Sequence, residues 1–414
     1  MKEKKKIYYG WWIVFLGFLV YALVYSAISS AGVFTLPITE ELGFSRSAYS
    51  GRSLFASAGT IIGSFTVGRF IAKHNIKRTM IGSCMILILC VIGCTFCTQV
   101  WQFYAISLLT GFGFAGATMI PVPVLINAWF GPKKKGLAMS IALAGSGIGG
   151  MFMTMILNWF CQNYGWRAAY YANAAIFLAV VPFIAVLAVR SPKEMGLERI
   201  GDVLVDGAVC EKAGIPFSAG RKSTAYWFVL GSFFLLAFVN AGILNHQIPY
   251  FNDAGFSPSK AASLGAIALG ALTLGKVLLG AMCDRIGIKK GVFIGNTMLM
   301  LSMLLIYMSA SVHFMGYAYV VFYAIGGSVA TVAAPLVVSA IFGDKEFSRY
   351  IGNINVATGI GNPIGAIFCG ALFDATGGYG SAWIAMAVIS AIIIVMQIRL
   401  FHIKNKKPEA AVLL

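Results

Sequence analysis

Twelve long apolar stretches run along the chain, at roughly 10–37, 46–72, 79–98, 102–128, 136–160, 167–189, 225–250, 259–283, 291–311, 315–342, 350–374 and 380–402. Short polar intervals separate them. An apolar run of more than about 18 residues, rising ~1.5 Å per residue, matches the ~30 Å hydrocarbon core of a bilayer. The pattern therefore predicts an all-α integral membrane protein with twelve transmembrane helices. One interval, 190–224, is long and polar, holding Pro192, Glu194, Glu198, Asp202, Asp206, Glu211 and Lys212. It divides the spans six and six, which predicts an N-terminal six-helix bundle (1–189), a linker (190–224) and a C-terminal six-helix bundle (225–414). The first apolar stretch follows Met1-Lys-Glu-Lys-Lys-Lys6 and is too long for the core of a signal peptide, so it reads as a retained first helix.

Composition agrees with the pattern. The chain is 59% hydrophobic, only 11% charged, and has a mean hydropathy of +0.83, which excludes an ordinary soluble domain. A net charge of +17 could suggest nucleic acid as a partner, but the placement of the cations says otherwise. Twenty-six of the 31 basic residues fall in alternate loops or within a turn of them, the exceptions being Arg46, Arg52, Arg167, Lys260 and Lys276. That is the positive-inside pattern. It places both termini in the cytoplasm and the protein in the cytoplasmic (inner) membrane, with the lipid bilayer as its surroundings and no nucleic acid. All eight tryptophans lie near predicted helix ends, as an interfacial belt would require. Cys90, Cys94 and Cys97 share a helix face but lack metal or disulfide spacing, so they read as packing residues, and no cofactor is expected.

The chain also repeats itself. Leu42-Gly43-Phe44-Ser45 recurs as Ala254-Gly255-Phe256-Ser257, Gly68 as Gly280, Lys77-Arg78 as Lys289-Lys290, and Pro123 as Pro335. Phe130-Gly131 recurs as Phe342-Gly343, Gly147-Ile-Gly149 as Gly359-Ile-Gly361, and Gly165 as Gly377. Each pair is 212 residues apart (280 − 68, 377 − 165). A constant offset over so many loops and helices implies a parallel duplication of six spans, hence two bundles related by a pseudo-two-fold axis along the membrane normal.

The run Gly280-Ala-Met-Cys-Asp284-Arg285-Ile-Gly287-Ile-Lys289-Lys290 resembles the cytoplasmic loop motif of the major facilitator superfamily, G-x-x-x-D-R-x-G-x-K/R-K/R. In the first-half copy, Gly68 to Arg78, Ala72 replaces the acid and Asn75 the glycine, while Lys73 and Arg78 keep the charge. The resemblance implies the major facilitator fold, with a cytoplasmic gate drawn from Gly68, Lys73, Arg78, Gly280, Asp284 and Arg285. Tyr9-Gly10-Trp11-Trp12, Gly43-Phe44-Ser45-Arg46, Trp129-Phe130, Tyr164-Gly165-Trp166-Arg167 and His246-Gln-Ile-Pro249-Tyr250 are similar to bacterial monocarboxylate-transporter-like and oxalate/formate-exchanger-like members.

Lys276 is the residue with the sharpest chemistry. It lies eight residues, roughly 12 Å, before Asp284, inside a predicted span where a cation costs about 2.5–3.5 kcal/mol on insertion scales. Such a residue marks a substrate or ion path unless it snorkels to the interface. The resemblance places it where that branch commonly carries a carboxylate-binding arginine. Arg52, roughly two turns into the second span from its outer side, is the second unexpected cation and serves either a dicarboxylate's other end or an entry funnel; the alternative is an arginine at the interface. The offset partners of Lys276 and Arg52 are Ser64 and Leu264, so neither cation belongs to the shared scaffold. The resemblance implies an aspartate one turn before Lys276 in one branch of such transporters; the residue here is Leu272, so a coupled proton would ride on Lys276, on His246 or on the substrate itself. His246, Tyr25, Thr118, Asn240, Tyr323 and Asn355 complete the substrate-binding candidates, with plain hydrogen bonding, between helices for most of them, as the alternative.

The expected function is secondary active transport of a small carboxylate anion, with or without a proton, by a monomer working through alternating access. A dicarboxylate or formate-type exchanger is the alternative. A proton-driven drug antiporter would need a membrane-embedded acid and a GPxxGG run, a neutral-solute carrier leaves both cations without purpose, and no catalytic constellation suggests an enzyme.

Overall fold

The computed structural model describes residues 8–44, 48–49, 51–73, 75–188, 191–200 and 214–406. Two compact units divide the chain, Met1–Val209 and Cys210–Leu414. Eleven helical stretches among the described residues are long and apolar enough to cross a membrane. One of them, Lys135–Leu187, is 53 residues long and contains a break at Gly165, whose φ of 83° and ψ of 164° no helix tolerates. Separating it there gives the twelve helices of the sequence pattern.

In the first unit the helices are α1 (Gly10–Ile28), α2 (Arg52–Lys73), α3 (Ile76–Cys94), α4 (Val100–Trp129), α5 (135–164) and α6 (166–187). Two of them are interrupted by a π turn, in which one extra residue is accommodated per turn: Tyr21–Tyr25 in α1 and Ala115–Met119 in α4. The expected first span to residue 37 is not one straight helix. Beyond Ser29 the chain tightens into a 3-10 turn, Ser30–Phe34, and re-forms as the helix Thr35–Leu42, which Gly43 ends in the left-handed conformation.

In the second unit α7 (Thr224–Asp253), α8 (Pro258–Ile286), α9 (Ile288–Met308), α10 (Phe314–Phe342), α11 (Phe347–Thr376) and α12 (Gly380–Lys406) follow. The helix of α10 stops at Gly326 and restarts at Val329. Since 115 + 212 = 327, this break occupies the position of the π turn in α4.

The duplication is visible in the packing of each unit. A Cβ on Gly149 of α5 would lie 2.1 Å from the Ala22 carbonyl oxygen of α1; a Cβ on Gly361 of α11 would lie 2.4 Å from that of Phe234 in α7. Both residues of the second pair are the first pair plus 212. Backbone-to-backbone approach at these crossings requires glycine, as small-residue packing in membranes commonly does. Gly165 and Gly377 likewise both have positive φ.

The polar segment between the bundles is held at its described ends. On the first unit, Gly131 N–H donates to the Ile200 carbonyl (2.9 Å), and Arg199 Nη2 donates to the carbonyls of Asn127 (2.9 Å) and Phe130 (3.0 Å) at the end of α4. On the second, Ile215 N–H donates to the Phe342 carbonyl (2.8 Å), and Tyr350 Oη to the Ile215 carbonyl (3.1 Å). Residues 190 and 201–213 of the expected linker lie outside the described residues, as do Ser45, Arg46 and His74 and the side chain of Lys73.

The tryptophan belt needs correction. Trp12, Trp101, Trp159 and Trp227 are exposed, but Trp129, Trp166 and Trp383 are among the most buried side chains of the protein. Proximity to a helix end does not decide which way a ring points. Trp129 meets the rings of Tyr8 and Tyr9, Trp166 those of Phe103 and Tyr170, and Trp383 those of Tyr250 and Tyr379.

Candidate functional site

In the second unit, α8 is set against α10 by backbone contact. A Cβ on Gly275 would lie 1.7 Å from the Ala324 carbonyl oxygen, so the residue beside Lys276 is fixed as glycine by the neighbouring helix. Ser328 Oγ, in the α10 break, donates to the Leu272 carbonyl (3.1 Å), one turn before Lys276. Lys276 itself is partly exposed. Ile267, Leu274 and Leu278 form an exposed apolar stripe along α8, and at about 100° per residue Lys276 lies roughly opposite it. Leu269, two turns earlier on the lysine's own side, is also half exposed.

A polar column joins α7 and α10. Tyr323 Oη donates to Asn240 Oδ1 (3.1 Å), and Asn240 Nδ2 donates to the Leu236 carbonyl (2.9 Å). One turn away Tyr319 Oη donates to Gln247 Oε1 (2.8 Å), and the Tyr319 and Tyr323 rings stack at 5.4 Å. Tyr319 and Tyr323 are fully buried, and Asn240 and Gln247 nearly so. Two of the sequence candidates, Asn240 and Tyr323, thus meet directly. Gln247 and Tyr319 were missed, although Tyr319 is four residues from Tyr323 and shares its helix face, a spacing that signals partnership.

His246 uses both ring nitrogens. Nε2 lies 3.0 Å from the Ala366 carbonyl, which can only accept, so Nε2 carries hydrogen; Nδ1 faces Tyr379 Oη at 3.2 Å. The ring fastens α7 to α11 and to the turn before α12. Asn355 on α11 is part-buried, and its Nδ2 has no hydrogen-bond acceptor among the described residues.

In the first unit, Tyr25 closes the π turn of α1, its ring 5.3 Å from that of Tyr21 and 5.2 Å from that of Phe114 on α4. Thr118 is fully buried, and its hydroxyl donates to the Phe114 carbonyl (2.7 Å) within the π turn of α4. It secures that turn and presents no hydroxyl to a solute here. Arg52 stands differently from the sequence expectation of two turns into a continuous span: α2 begins at Arg52, after a turn in which Gly51 N–H donates to the Ala48 carbonyl (3.1 Å). Its guanidinium lies 4.8 Å from the centre of the Tyr49 ring. A cation in the first turn opposes the helix dipole, so its position gives α2 no stability.

The two motif loops are built differently. Gly287, between α8 and α9, has φ 88°, which its counterpart Asn75 avoids; Asn75 is extended and caps α3, its Oδ1 accepting from Lys77 N–H (2.8 Å). Gly68 and Gly280 are buried, Asp284 is partly buried, and Arg78 and Arg285 are exposed.

Two six-helix bundles of duplicated design, carrying a few cations in otherwise apolar helices, define the class of membrane solute carriers. The model of the Major Facilitator Superfamily matches residues 14–275 and 226–412, and the chain belongs to that family. It is 24% identical to monocarboxylate transporter 13 of Rattus norvegicus over 387 residues, covering 91% of this chain and 85% of that protein. Monocarboxylate transporter 14 of Mus musculus is 26% identical over 188 residues, 45% of this chain but only 36% of that protein. The gallate transporter of Pseudomonas putida is 22% identical over 216 residues, 52% of this chain and 48% of that protein. The solved structure of the major facilitator transporter FucP superposes with a TM-score of 0.70 at 13% identity, covering 94% of this chain and 97% of FucP.

Proposed function

We propose that this transporter carries a small organic anion, a monocarboxylate, by alternating access, with Lys276 as the group that receives the carboxylate. The observation that carries the proposal is Lys276 itself: a partly exposed lysine on α8, opposite the apolar stripe, next to the glycine at which α8 is set against α10. At about 4 Å and an effective dielectric near 20, attraction for a carboxylate is on the order of 4 kcal/mol before desolvation, enough to prefer anions over neutral solutes. The names of the relatives point to the same class of cargo, two being monocarboxylate transporters and one a gallate transporter. Asn355 Nδ2 offers a further donor, and the Asn240–Tyr323 pair stiffens the frame. Arg52 supports a second reading, a dicarboxylate or exchanged anion whose other end it meets. If a proton accompanies the anion, Lys276 and His246 are its carriers on this chain. The basic loops support insertion in the cytoplasmic membrane with both termini inside.

The test is uptake by reconstituted protein of lactate, pyruvate, formate, oxalate and gallate, together with the thermal stabilisation each ligand confers. Lys276→Ala should abolish both signals for the carried anion while Lys276→Arg keeps part of them, because a guanidinium also pairs with carboxylate. Unchanged uptake by Lys276→Ala removes the assignment, and full activity in Lys276→Gln indicates a neutral cargo.

A further inference from the structure

A groove of about 390 Å³ opens between α9 and α12, lined by Lys289, Lys290, Phe293, Asn296, Gln397 and Phe401 together with three isoleucines. Its chemistry is graded. Lys289 and Lys290 are exposed at its mouth, on the first turn of α9. Phe293 and Ile398 form apolar walls, each nearly half exposed. At its floor Asn296 Nδ2 donates to Gln397 Oε1, and both side chains are almost fully buried (1% and 4% exposed). That single bond leaves Asn296 Oδ1 and Gln397 Nε2 without partners, one acceptor and one donor. Burying an amide group unsatisfied is costly, and the cost is greater where lipid rather than water surrounds the helix.

The same scaffold in the first unit does without this feature. The residues 212 positions earlier are Cys84 and Ala185, while Lys77 and Arg78 still match Lys289 and Lys290. The amide pair is therefore an addition to the second unit, not a requirement of the fold.

We propose that the groove binds one anionic diacyl phospholipid. Its phosphate is held by Lys289 and Lys290, an ester carbonyl accepts from Gln397 Nε2, and an acyl chain lies along Phe293, Ile398 and Phe401. Six residues separate Lys290 from Asn296, a rise of ~9 Å. The headgroup layer on each side of a bilayer is roughly 5–8 Å deep, so cations and amide pair stand at its two boundaries. A soluble phosphate compound would meet the lysines but leave the walls and floor bare, which is why the occupant is a lipid. Basic pockets between membrane helices are a recognised setting for such headgroups.

The experiment uses purified full-length protein in neutral detergent, titrated with dioleoyl phosphatidylglycerol, dioleoyl phosphatidylcholine or glycerol 3-phosphate, with retained lipid counted by native mass spectrometry and melting temperature recorded. The intact protein should retain phosphatidylglycerol about tenfold more tightly than phosphatidylcholine, and glycerol 3-phosphate should not raise the melting temperature. Lys289→Gln with Lys290→Gln should remove the preference. Lys77→Gln with Arg78→Gln, the charge-matched pair of the first unit, should leave it intact. Gln397→Leu should weaken retention of both lipids. Equal retention by the Lys289/Lys290 variant and the intact protein overturns the proposal. So does equal loss in the Lys77/Arg78 variant, which would mean diffuse attraction, or stabilisation by glycerol 3-phosphate alone, which would mean a soluble ligand.

Discussion

At the scale of single residues, the charges explain most. Arg167 broke the positive-inside pattern, and the structure shows why: its guanidinium is paired with Glu41, lies over the Trp166 ring at 4.1 Å and donates to the Thr95 carbonyl (3.2 Å). The Trp166 indole donates to the other Glu41 oxygen (2.6 Å). Hydrogen bonds from Arg167 and then Trp166 hold the Glu41 carboxyl below its ordinary value of 4.5. A carboxyl lowered in the folded state adds stability above its unfolded pKa, and that stability is lost as pH falls through the folded one. Melting temperature should therefore drop below about pH 4.5 more steeply in the intact protein than in Glu41→Gln. Both partners are half exposed, which limits the effect to ~1 kcal/mol or less. Parallel melting curves for the two proteins from pH 7 to 3 would refute it. Sequence reading could single out Lys276 and Arg52 because an isolated cation in an apolar run is conspicuous. It could not see that Arg167 had a partner 126 residues away, nor that the Thr118 hydroxyl is spent on its own helix.

Among the elements, helix identity was legible and helix regularity was not. Twelve apolar runs became twelve helices, yet nothing in Tyr21-Ala-Leu-Val-Tyr25 or Ala115-Gly-Ala-Thr-Met119 announces a π turn, since both are ordinary apolar sequence. Their shape is set by what they pack against, Tyr25 on Phe114 and Ser26 Oγ on the Ser146 carbonyl (3.1 Å). The glycine pattern was more informative. Gly149 sits against Ala22, whereas nothing lies within 4 Å of a Cβ on the adjacent Gly150. Gly149→Ala should lower stability by about 1–3 kcal/mol through overpacking. Gly150→Ala should be neutral or stabilising by up to ~1 kcal/mol, because alanine is the better helix former. Thermal denaturation of the two single variants in one detergent decides it, and equal loss in both would contradict the described crossing.

For the whole molecule, the 212-residue offset read from loops and glycines proves to be an offset of contacts, with Gly149–Ala22 matched by Gly361–Phe234. Where the copies diverge, at Asn75 against Gly287 and at Cys84 against Asn296, the sequence showed the difference but not its result. Duplication in parallel puts equivalent loops on one side of the membrane. Arg78→Cys and Lys290→Cys should therefore react with an impermeant maleimide from the same face of sealed vesicles. The background is favourable: Cys84, Cys90, Cys94, Cys97, Cys161, Cys283 and Cys369 are buried, and Cys210→Ser removes the eighth. Labelling from opposite faces would rule out a parallel repeat.

The attachment of Ile200 beside Phe130 and of Ile215 beside Phe342 has a mechanical consequence. Fourteen residues, 201–214, lie between those two anchors, and a chain of that length spans at most about 50 Å at full extension. Any separation of the two anchored corners beyond that length would have to strip one of them from its bundle. The covalent length between Ile200 and Ile215 therefore caps the distance over which both attachments can hold at once.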